Sequence, residues 1–268
     1  MEIPATTAVR IELEGTVGRI VLARPEKLNA LSRAVLEELA SAAEFFDRSD
    51  ATVVVIAGEG RAFSAGFDLS DPTWSELGPP EESGVVGRAM AEAIGGMEAV
   101  TIASIHGHCV GGGVVLASAC DLRIGAGSAL FRIPEVDLGV PLLWTGVPRL
   151  VRELGPALTK ELVLTGRAFD AEEARAIRFL NRLVDDDELS AATDRLAHEL
   201  AAKPRLVLRM TKQQVEEAAP SIPEGDGGPR ADVEVFATAF RDPECRRVAA
   251  ATMGLDGDSA NAFDGSDT

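Results

Sequence analysis

The hydrophobic positions of this chain follow two different periods. Mostly apolar runs at 52–57 and 100–105 contain several β-branched residues, which is typical of strands buried on both faces of a sheet. By contrast, the apolar residues between 35 and 43 recur every three or four positions after Ser32, which predicts an N-capped helix ending near Asp47. Shorter strands are predicted at 10–14, 19–22, 122–124 and 129–132.

This alternation of strand and helix predicts an α/β core, and helical stretches dominate after about residue 153. We therefore predict a core over residues 1–200 and a helical C-terminal region over residues 201–268, with a loose tail from residue 254. Segments 72–87 and 220–229 are rich in Pro and Gly, which predicts loops. Helices are predicted at 88–97, 113–119, 157–164, 171–179, 189–201, 205–218 and 233–238.

The composition argues against several classes of protein. The formal net charge of −17 would repel nucleic acid and acidic membranes, since such partners are bound through Lys and Arg. The apolar stretch 101–120 is long enough to span a membrane, but its two histidines and triple glycine fit a buried strand, turn and helix better. Three irregularly spaced cysteines and an N-terminus without a signal-peptide pattern favour a cytoplasmic protein that has neither a disulfide framework nor a metal site.

Two segments of small residues carry the candidate chemistry. The sequence Arg61-Ala-Phe-Ser-Ala-Gly-Phe-Asp-Leu69 follows one predicted strand, and Ile105-His-Gly-His-Cys-Val-Gly-Gly-Gly-Val-Val-Leu116 follows another. Glycine allows the backbone to approach a ligand closely, and the N–H groups at a helix N-terminus favour negative charge. Two such donors that converge on one oxygen form an oxyanion hole, in which the loss of one donor costs about 3 kcal/mol of transition-state stabilisation.

The same residues admit other interpretations. The segment 58–63 matches half of a dinucleotide-binding fingerprint, but Phe63 stands where the third glycine would be. Ser64 resembles the nucleophile of a serine hydrolase, for which His198 is the downstream histidine. His106 and His108 could ligate a metal ion, although no acidic or Cys/His cluster accompanies them in the sequence. The glycines also fit purely structural turns, but the presence of two such segments favours an oxyanion hole.

Four segments, in this order along the chain, resemble those of the crotonase superfamily, the enoyl-CoA hydratase/isomerase family. They lie at 24–31, 62–69, 107–113 and 131–139, and the resemblance extends from about residue 9 to about residue 250. It implies an α/β fold built as a spiral of β-β-α units, with a helical C-terminal region that packs against neighbouring subunits in a trimer or hexamer. It also implies an acyl-CoA substrate, with coenzyme A present as part of that substrate and no separate cofactor.

The resemblance also implies roles for individual residues. The oxyanion-hole donors would be the backbone N–H groups of Phe67 and Gly112, and the catalytic carboxylate would be Glu135. Because the chain is acidic, CoA would need a local basic patch, for which Arg24, Lys27 and Arg61 are candidates. The residues that would hold the CoA moiety are Arg24, Lys27, Ala65, Gly66, Asp68, Leu69 and Gly111. Asp68 is expected to support this segment structurally.

One departure from the family pattern bears on the reaction. Hydratases of the family use two glutamates on one water, and the position of the first glutamate holds Val115 here. The retained Glu135, with a pKa raised by apolar neighbours, would act alone as general acid and base. This favours double-bond isomerisation of an enoyl-CoA. Hydration, C–C lyase chemistry and acyl-CoA binding without turnover are the alternatives.

Further residues near Glu135 could shape the site. Asp137 would share a face with Glu135 if this segment were a strand, which makes it a weak candidate for a second acid. After Gly139 the family often has a Gly-rich stretch, whereas this chain has Leu143 followed by Trp144. These two side chains would either fill the acyl pocket or form its wall.

Overall fold

The computed structural model describes residues 3–71, 81–219 and 229–253. These residues form the strands β1 (Val9–Glu14), β2 (Val17–Leu22), β3 (Val53–Gly58), β4 (Ala62–Ser64), β5 (Val100–Ile105), β6 (His108–Val110), β7 (Leu122–Ala126), β8 (Leu130–Arg132), β9 (Phe169–Asp170) and β10 (Arg182–Val184). They also form the helices α1 (Arg33–Asp47), α2 (Glu81–Gly96), α3 (Gly112–Ala119), α4 (Gly146–Leu154), α5 (Pro156–Thr165), α6 (Ala171–Ala176), α7 (Leu189–Ala201), α8 (Arg205–Ala218), α9 (Pro229–Arg241) and α10 (Pro243–Met253).

The strands form two sheets. The larger sheet has the order β1-β2-β3-β5-β7-β10 and is parallel except for the β1–β2 pair. The smaller sheet has the order β4-β6-β8-β9, in which β8 and β9 are antiparallel and the other pairs are parallel. Both sheets are built from strands that alternate with helices, so the predicted α/β class is confirmed. None of the helices in the part of the chain that is described is long and apolar enough to cross a membrane.

The larger sheet is covered on both faces. In β3, Val54 and Ile56 belong to the core that includes α1, whereas Val53 and Val55 pack with residues of α7 on the opposite face. Because side chains alternate between the two faces along a strand, a strand covered on both sides favours apolar residues on both faces. This burial explains why β3 and β5 are mostly apolar and confirms that both are interior strands. The buried hydroxyls of Thr101 and Ser104 in β5 are hydrogen-bonded to Asp121 and Thr193, respectively.

The C-terminal helices lie against the core of the same chain. Lys212 of α8 donates to the carbonyl oxygens of Met97 at 2.8 Å and Ala99 at 3.1 Å, and it pairs with Asp121 at 2.8 Å. Large apolar side chains of α8 nevertheless stay exposed, namely Leu206, Val207, Met210 and Val215. Subunit packing would cover such a surface. The boundary near residue 200 and the trimer or hexamer stay predictions.

The predicted loop at 72–87 is partly wrong. Helix α2 begins at Glu81, although Gly84 and Gly87 lower the helix propensity of this segment. Gly87 packs directly against the indole of Trp144, and this tertiary contact outweighs the local preference. The sequence pattern also did not predict α4 and α10. Residues 72–80, 220–228 and 254–268, which hold the rest of the predicted loops and the predicted tail, lie outside the described residues.

Helix α1 is fixed at its start by a cap and along its length by one tight contact. Ser32 accepts a hydrogen bond from the Val35 N–H at 3.4 Å, as predicted for an N-cap. Near the end of the helix, the fully buried ring of Phe46 lies against Gly18 of β2, where a Cβ atom would overlap the ring. The distance between α1 and the sheet therefore depends on the absence of a side chain at Gly18.

Gly18→Ala should lower the free energy of unfolding by about 1–3 kcal/mol, because the added methyl forces the Phe46 ring out of its position. Urea denaturation measures this loss, and the double variant Gly18→Ala/Phe46→Leu should recover part of it. The matched control is Gly96→Ala, since no atom lies within 4 Å of the Cβ position there. Equal losses in Gly18→Ala and Gly96→Ala would contradict the contact.

Candidate active site

Three parallel strands of the smaller sheet end at the same edge. Ala62 of β4 aligns with His108 of β6, which in turn aligns with Leu130 of β8. The chain leaves these three strands into the segments 65–67, 111–112 and 133–135, respectively. Because the carboxyl ends of parallel strands meet at one edge, the three sequence motifs are brought together there.

The segment after β4 is held by buried hydrogen bonds. Gly66 adopts a positive φ of 85°, its carbonyl accepts from the Leu31 N–H at 2.7 Å, and its N–H donates to Ser64 Oγ at 3.1 Å. Ser64 is fully buried and its hydroxyl donates to the Asn29 carbonyl at 2.9 Å. The hydroxyl therefore fixes the loop that carries Phe67, and the serine-hydrolase interpretation fails because no substrate can reach it.

Asn29 is a supporting residue that the sequence analysis did not single out. It is buried, and its side-chain amide donates to the carbonyls of Glu59 and Ala62, both at 2.8 Å. Its side-chain oxygen accepts from the Arg24 N–H at 3.0 Å. Asn29 thus connects the segment at 24–31 to β4. The only hint of this role in the sequence is that Asn29 is a polar residue within that segment.

The segment after β6 opens a buried helix. Gly111 caps α3 with a φ of 50°, and its N–H donates to the Arg132 carbonyl of β8 at 2.9 Å. Gly112 is the first residue of α3, so its N–H has no acceptor within the helix and lies at the positive end of the helix dipole. A Cβ atom at Gly66 would lie 3.3 Å from the Gly112 nitrogen. The structure therefore brings the loop of Phe67 next to Gly112.

Glu135 lies on the other side of Gly111. It begins a 3₁₀ turn, Glu135–Leu138, rather than continuing β8 as a strand. A Cβ atom at Gly111 would lie 2.5 Å from Glu135 Oε1, so the carboxyl group rests on the backbone of the glycine. Oε2 is buried and has no hydrogen-bond partner. The carboxyl group is thus close to the N-terminus of α3, and one of its oxygens is left without a hydrogen bond.

Burial raises the pKa of Glu135 from an ordinary 4.5 to about 7, and a hydrogen bond from its own backbone N–H opposes the shift only in part. The residue as a whole is only partly buried, yet its Oε2 atom is shielded from solvent. The loss of solvation at that oxygen accounts for the higher pKa. A carboxyl group with this pKa can both accept and donate a proton near neutral pH.

Asp137 does not stand beside Glu135 as a second acid. The prediction assumed a strand, in which residues two apart share a face, whereas in the 3₁₀ turn they point in different directions. Asp137 is about half exposed and pairs with Arg132 at 2.8 Å. Asp68 is buried, and its carboxylate pairs with Arg24 at 3.0 Å.

Apolar residues occupy the space behind the N-terminus of α3. Val115 is 1% exposed, and a Cβ atom at Gly146 would lie 2.8 Å from its side chain and from that of Leu142. The indole of Trp144 contacts Gly112 directly, and its ring centroid lies 6.2 Å from that of Phe67. The position where a hydratase would carry its other glutamate is therefore part of the hydrophobic core.

The residues predicted to hold CoA fall into two groups. Arg24, Lys27 and Asp68 line a surface cavity of about 360 Å³, together with Ser32, Arg33, Ala34, Glu37, Ser70 and Asp71. Ala65, Gly66 and Gly111 lie instead along the edge of the smaller sheet. Leu69 is 46% exposed. The cavity carries three cationic and three acidic side chains, so it is a mixed surface rather than a basic patch.

Two other interpretations of the sequence do not fit the geometry. The segment 58–63 connects β3 to β4, whereas a dinucleotide fingerprint connects a strand to a helix. His106 Nε2 lies 3.0 Å from the carbonyl oxygen of Gly60. Within the residues that the structure describes, His, Cys, Asp and Glu side chains do not form a group of three or more that could hold a metal ion.

The pKa of Glu135 has a consequence for stability. Between about pH 4.5 and about pH 7, the folded protein holds a proton at Glu135 that the unfolded chain releases, so the free energy of unfolding should fall across this range by up to about 3 kcal/mol. Glu135→Gln removes this pH-dependent contribution to the free energy of unfolding. Urea denaturation should show the Gln variant gaining stability over wild type as the pH rises from about 5 to about 8. A difference that stays constant with pH would refute the shift.

Comparisons with known proteins agree with this arrangement. Residues 12–254 match the family model described as Enoyl-CoA hydratase/isomerase. The protein named "Probable enoyl-CoA hydratase echA8" from Mycobacterium tuberculosis is 35% identical over 214 residues, which cover 78% of this chain and 81% of that protein. The crotonyl-CoA hydratase of Syntrophomonas wolfei is 32% identical over 209 residues, which cover 77% of this chain and 80% of that protein.

A solved structure supports the fold. The crystal structure of an enoyl-CoA hydratase from Mycobacterium avium subsp. paratuberculosis superposes with a TM-score of 0.84 at 23% identity, covering 92% of this chain and 100% of that chain. This likeness confirms the crotonase-like architecture predicted from the four sequence segments. Since the family model extends over nearly the whole chain, this protein is an enzyme of the enoyl-CoA hydratase/isomerase family.

Proposed function

We propose that this enzyme moves a double bond within an enoyl-CoA, with Glu135 as its single acid and base. The observation that carries the proposal is the carboxyl group of Glu135, which lies against Gly111 with Oε2 buried and unpartnered. At the other position where a hydratase has an acidic residue, this chain has the buried Val115. One carboxyl group with a pKa of about 7 suits a reaction in which a proton is removed and then returned.

The proposed reaction has two proton transfers. The carboxylate of Glu135 takes a proton from the α-carbon of a 3-enoyl-CoA, and the electron pair passes to the thioester oxygen to give a dienolate. The backbone N–H groups of Phe67 and Gly112 would hold this oxygen, and the dipole of α3 favours its negative charge. Glu135 then returns the proton to the γ-carbon, which leaves the double bond between the α- and β-carbons.

The remainder of the substrate would follow the strand edge. The thioester would lie at Gly66 and Gly111, where the glycines leave the backbone accessible, and the CoA moiety would extend past Leu69 towards Arg24 and Lys27. Lys27 is positioned by a hydrogen bond from Nζ to Ser70 Oγ at 3.1 Å. This arrangement would bring cationic groups to the phosphates while the acyl group stays among apolar residues.

Hydration is the second candidate, because relatives that share about a third of the sequence are named as hydratases. In that reaction water adds to the β-carbon of a 2-enoyl-CoA, and Glu135 alone would have to deliver both its hydroxyl and its proton. Val115 cannot hold the water from the other side, because a valine side chain neither donates nor accepts a hydrogen bond. The site therefore favours isomerisation.

Glu135→Gln should lower the rate of 3-enoyl-CoA isomerisation by about 10²–10⁴-fold, since an amide cannot accept the proton. The appearance of the conjugated 2-enoyl-CoA measures this rate, and the same preparations are tested with 2-enoyl-CoA for hydration. The matched control is Asp137→Asn, which changes an exposed carboxylate two residues away and should retain activity. Full activity of Glu135→Gln would disprove the role of Glu135. Faster hydration than isomerisation by wild type would favour the second candidate.

The pH dependence provides an independent test. Since Glu135 must be ionised to accept a proton, kcat/KM for the 3-enoyl-CoA should rise about tenfold per pH unit below about pH 7 and level off above it. Steady-state rates across the pH range measure this profile in the wild-type enzyme. A plateau that already begins near the ordinary glutamate pKa of 4.5 would contradict the assignment.

A further inference from the structure

Trp144 is the largest side chain in contact with the proposed oxyanion hole. It is 4% exposed, and atoms of its six-membered ring would overlap a Cβ atom placed on Gly112. The other edge of the indole, with Cε2 and Nε1, would overlap a Cβ atom placed on Gly87 of α2. The indole therefore fills the space between the N-terminus of α3 and helix α2, which the two glycines leave open.

The backbone holds this side chain in place. Trp144 and Thr145 both adopt positive φ angles, of 61° and 58°, which are uncommon for residues with a branched or bulky side chain. Such conformations persist only where the surrounding contacts enforce them. Here the Arg149 Nε donates to Thr145 Oγ1 at 3.2 Å, and the Gly146 N–H donates to the Leu143 carbonyl at 3.0 Å. The indole is thus a fixed part of the site.

An acyl chain whose thioester bound at the proposed oxyanion hole would meet this side chain. The thioester oxygen would sit at the Phe67 and Gly112 amides, so the acyl group has to extend past the residues around them. The Trp144 ring contacts Gly112 and lies 6.2 Å from the Phe67 ring, measured between centroids. Leu142 and Val115 are also buried, and both pack against Gly146, two residues after Trp144.

We propose that Trp144 limits the length of the acyl group, so that this enzyme takes short-chain acyl-CoA thioesters and excludes long-chain ones. The inference rests on the proposed function, because it assumes that the thioester binds at Phe67 and Gly112. It adds a substrate class to that function. Trp144 acts as a specificity residue through the volume of its indole and takes no part in proton transfer.

The test compares the binding of two saturated, unreactive thioesters, butyryl-CoA and decanoyl-CoA, with free CoA as a reference. Every added methylene normally favours binding to an apolar pocket, so a preference for the shorter chain reports steric exclusion. Titration calorimetry with wild type should show butyryl-CoA binding at least about tenfold more tightly than decanoyl-CoA. Trp144→Ala should reverse this ratio, and Trp144→Phe should shift it in the same direction by less.

The controls separate specificity from stability. Phe46→Leu also reduces a buried aromatic side chain, but one that packs on Gly18, so it should lower the melting temperature and leave the ratio unchanged. If Trp144→Ala does not fold, Trp144→Phe supplies the comparison. A variant that folds and binds both thioesters with the wild-type ratio overturns the role of Trp144 alone. If wild type binds neither thioester, the proposed function fails together with this inference.

Discussion

The parallel alignment of β4, β6 and β8 is the constraint on which the candidate site depends. Each strand is only three residues long, and each ends in a segment that contributes one part of the site. The Gly111 N–H extends this pairing by one further hydrogen bond to the Arg132 carbonyl. A shift in register would move the three segments apart, because a slip of one residue displaces a strand by about 3.3 Å and reverses its side chains. The larger sheet and its helices provide the support that keeps such short strands aligned.

The site combines features that oppose stability with features that fix its geometry. A buried carboxyl group without a hydrogen-bond partner is costly, and the positive φ angles of Trp144 and Thr145 add strain. These costs are balanced by buried contacts that leave little freedom, such as the hydrogen bonds of Ser64 and Asn29. Packing and hydrogen bonding elsewhere therefore offset the cost of an unsolvated carboxyl group and of a strained backbone.

Sequence patterns alone predict the α/β class and the two segments of small residues at strand ends, because both depend on local residues. The segments at 24–31 and 131–139, and the role of Glu135, were expected only from the resemblance to the crotonase superfamily. The 3₁₀ turn at Glu135 could not be predicted, since Pro134 and Gly139 fit several turn types and the choice depends on neighbouring helices. The start of α2 and the position of Trp144 depend on each other across the structure. Neither can be derived from residues that are adjacent in sequence.

The turn that carries Glu135 ends at Gly139, and a Cβ atom there would lie 2.6 Å from the carbonyl oxygen of Cys245. The last described helix, α10, is therefore pressed against the loop that sets the environment of the acidic group. This contact joins the far end of the chain to the chemistry, although the two are more than a hundred residues apart in sequence. Gly139 also adopts a positive φ of 71°, so a larger residue there would meet both a strained backbone and the main chain of α10. A single position without a side chain thus sets how closely the end of the chain can approach the turn of Glu135.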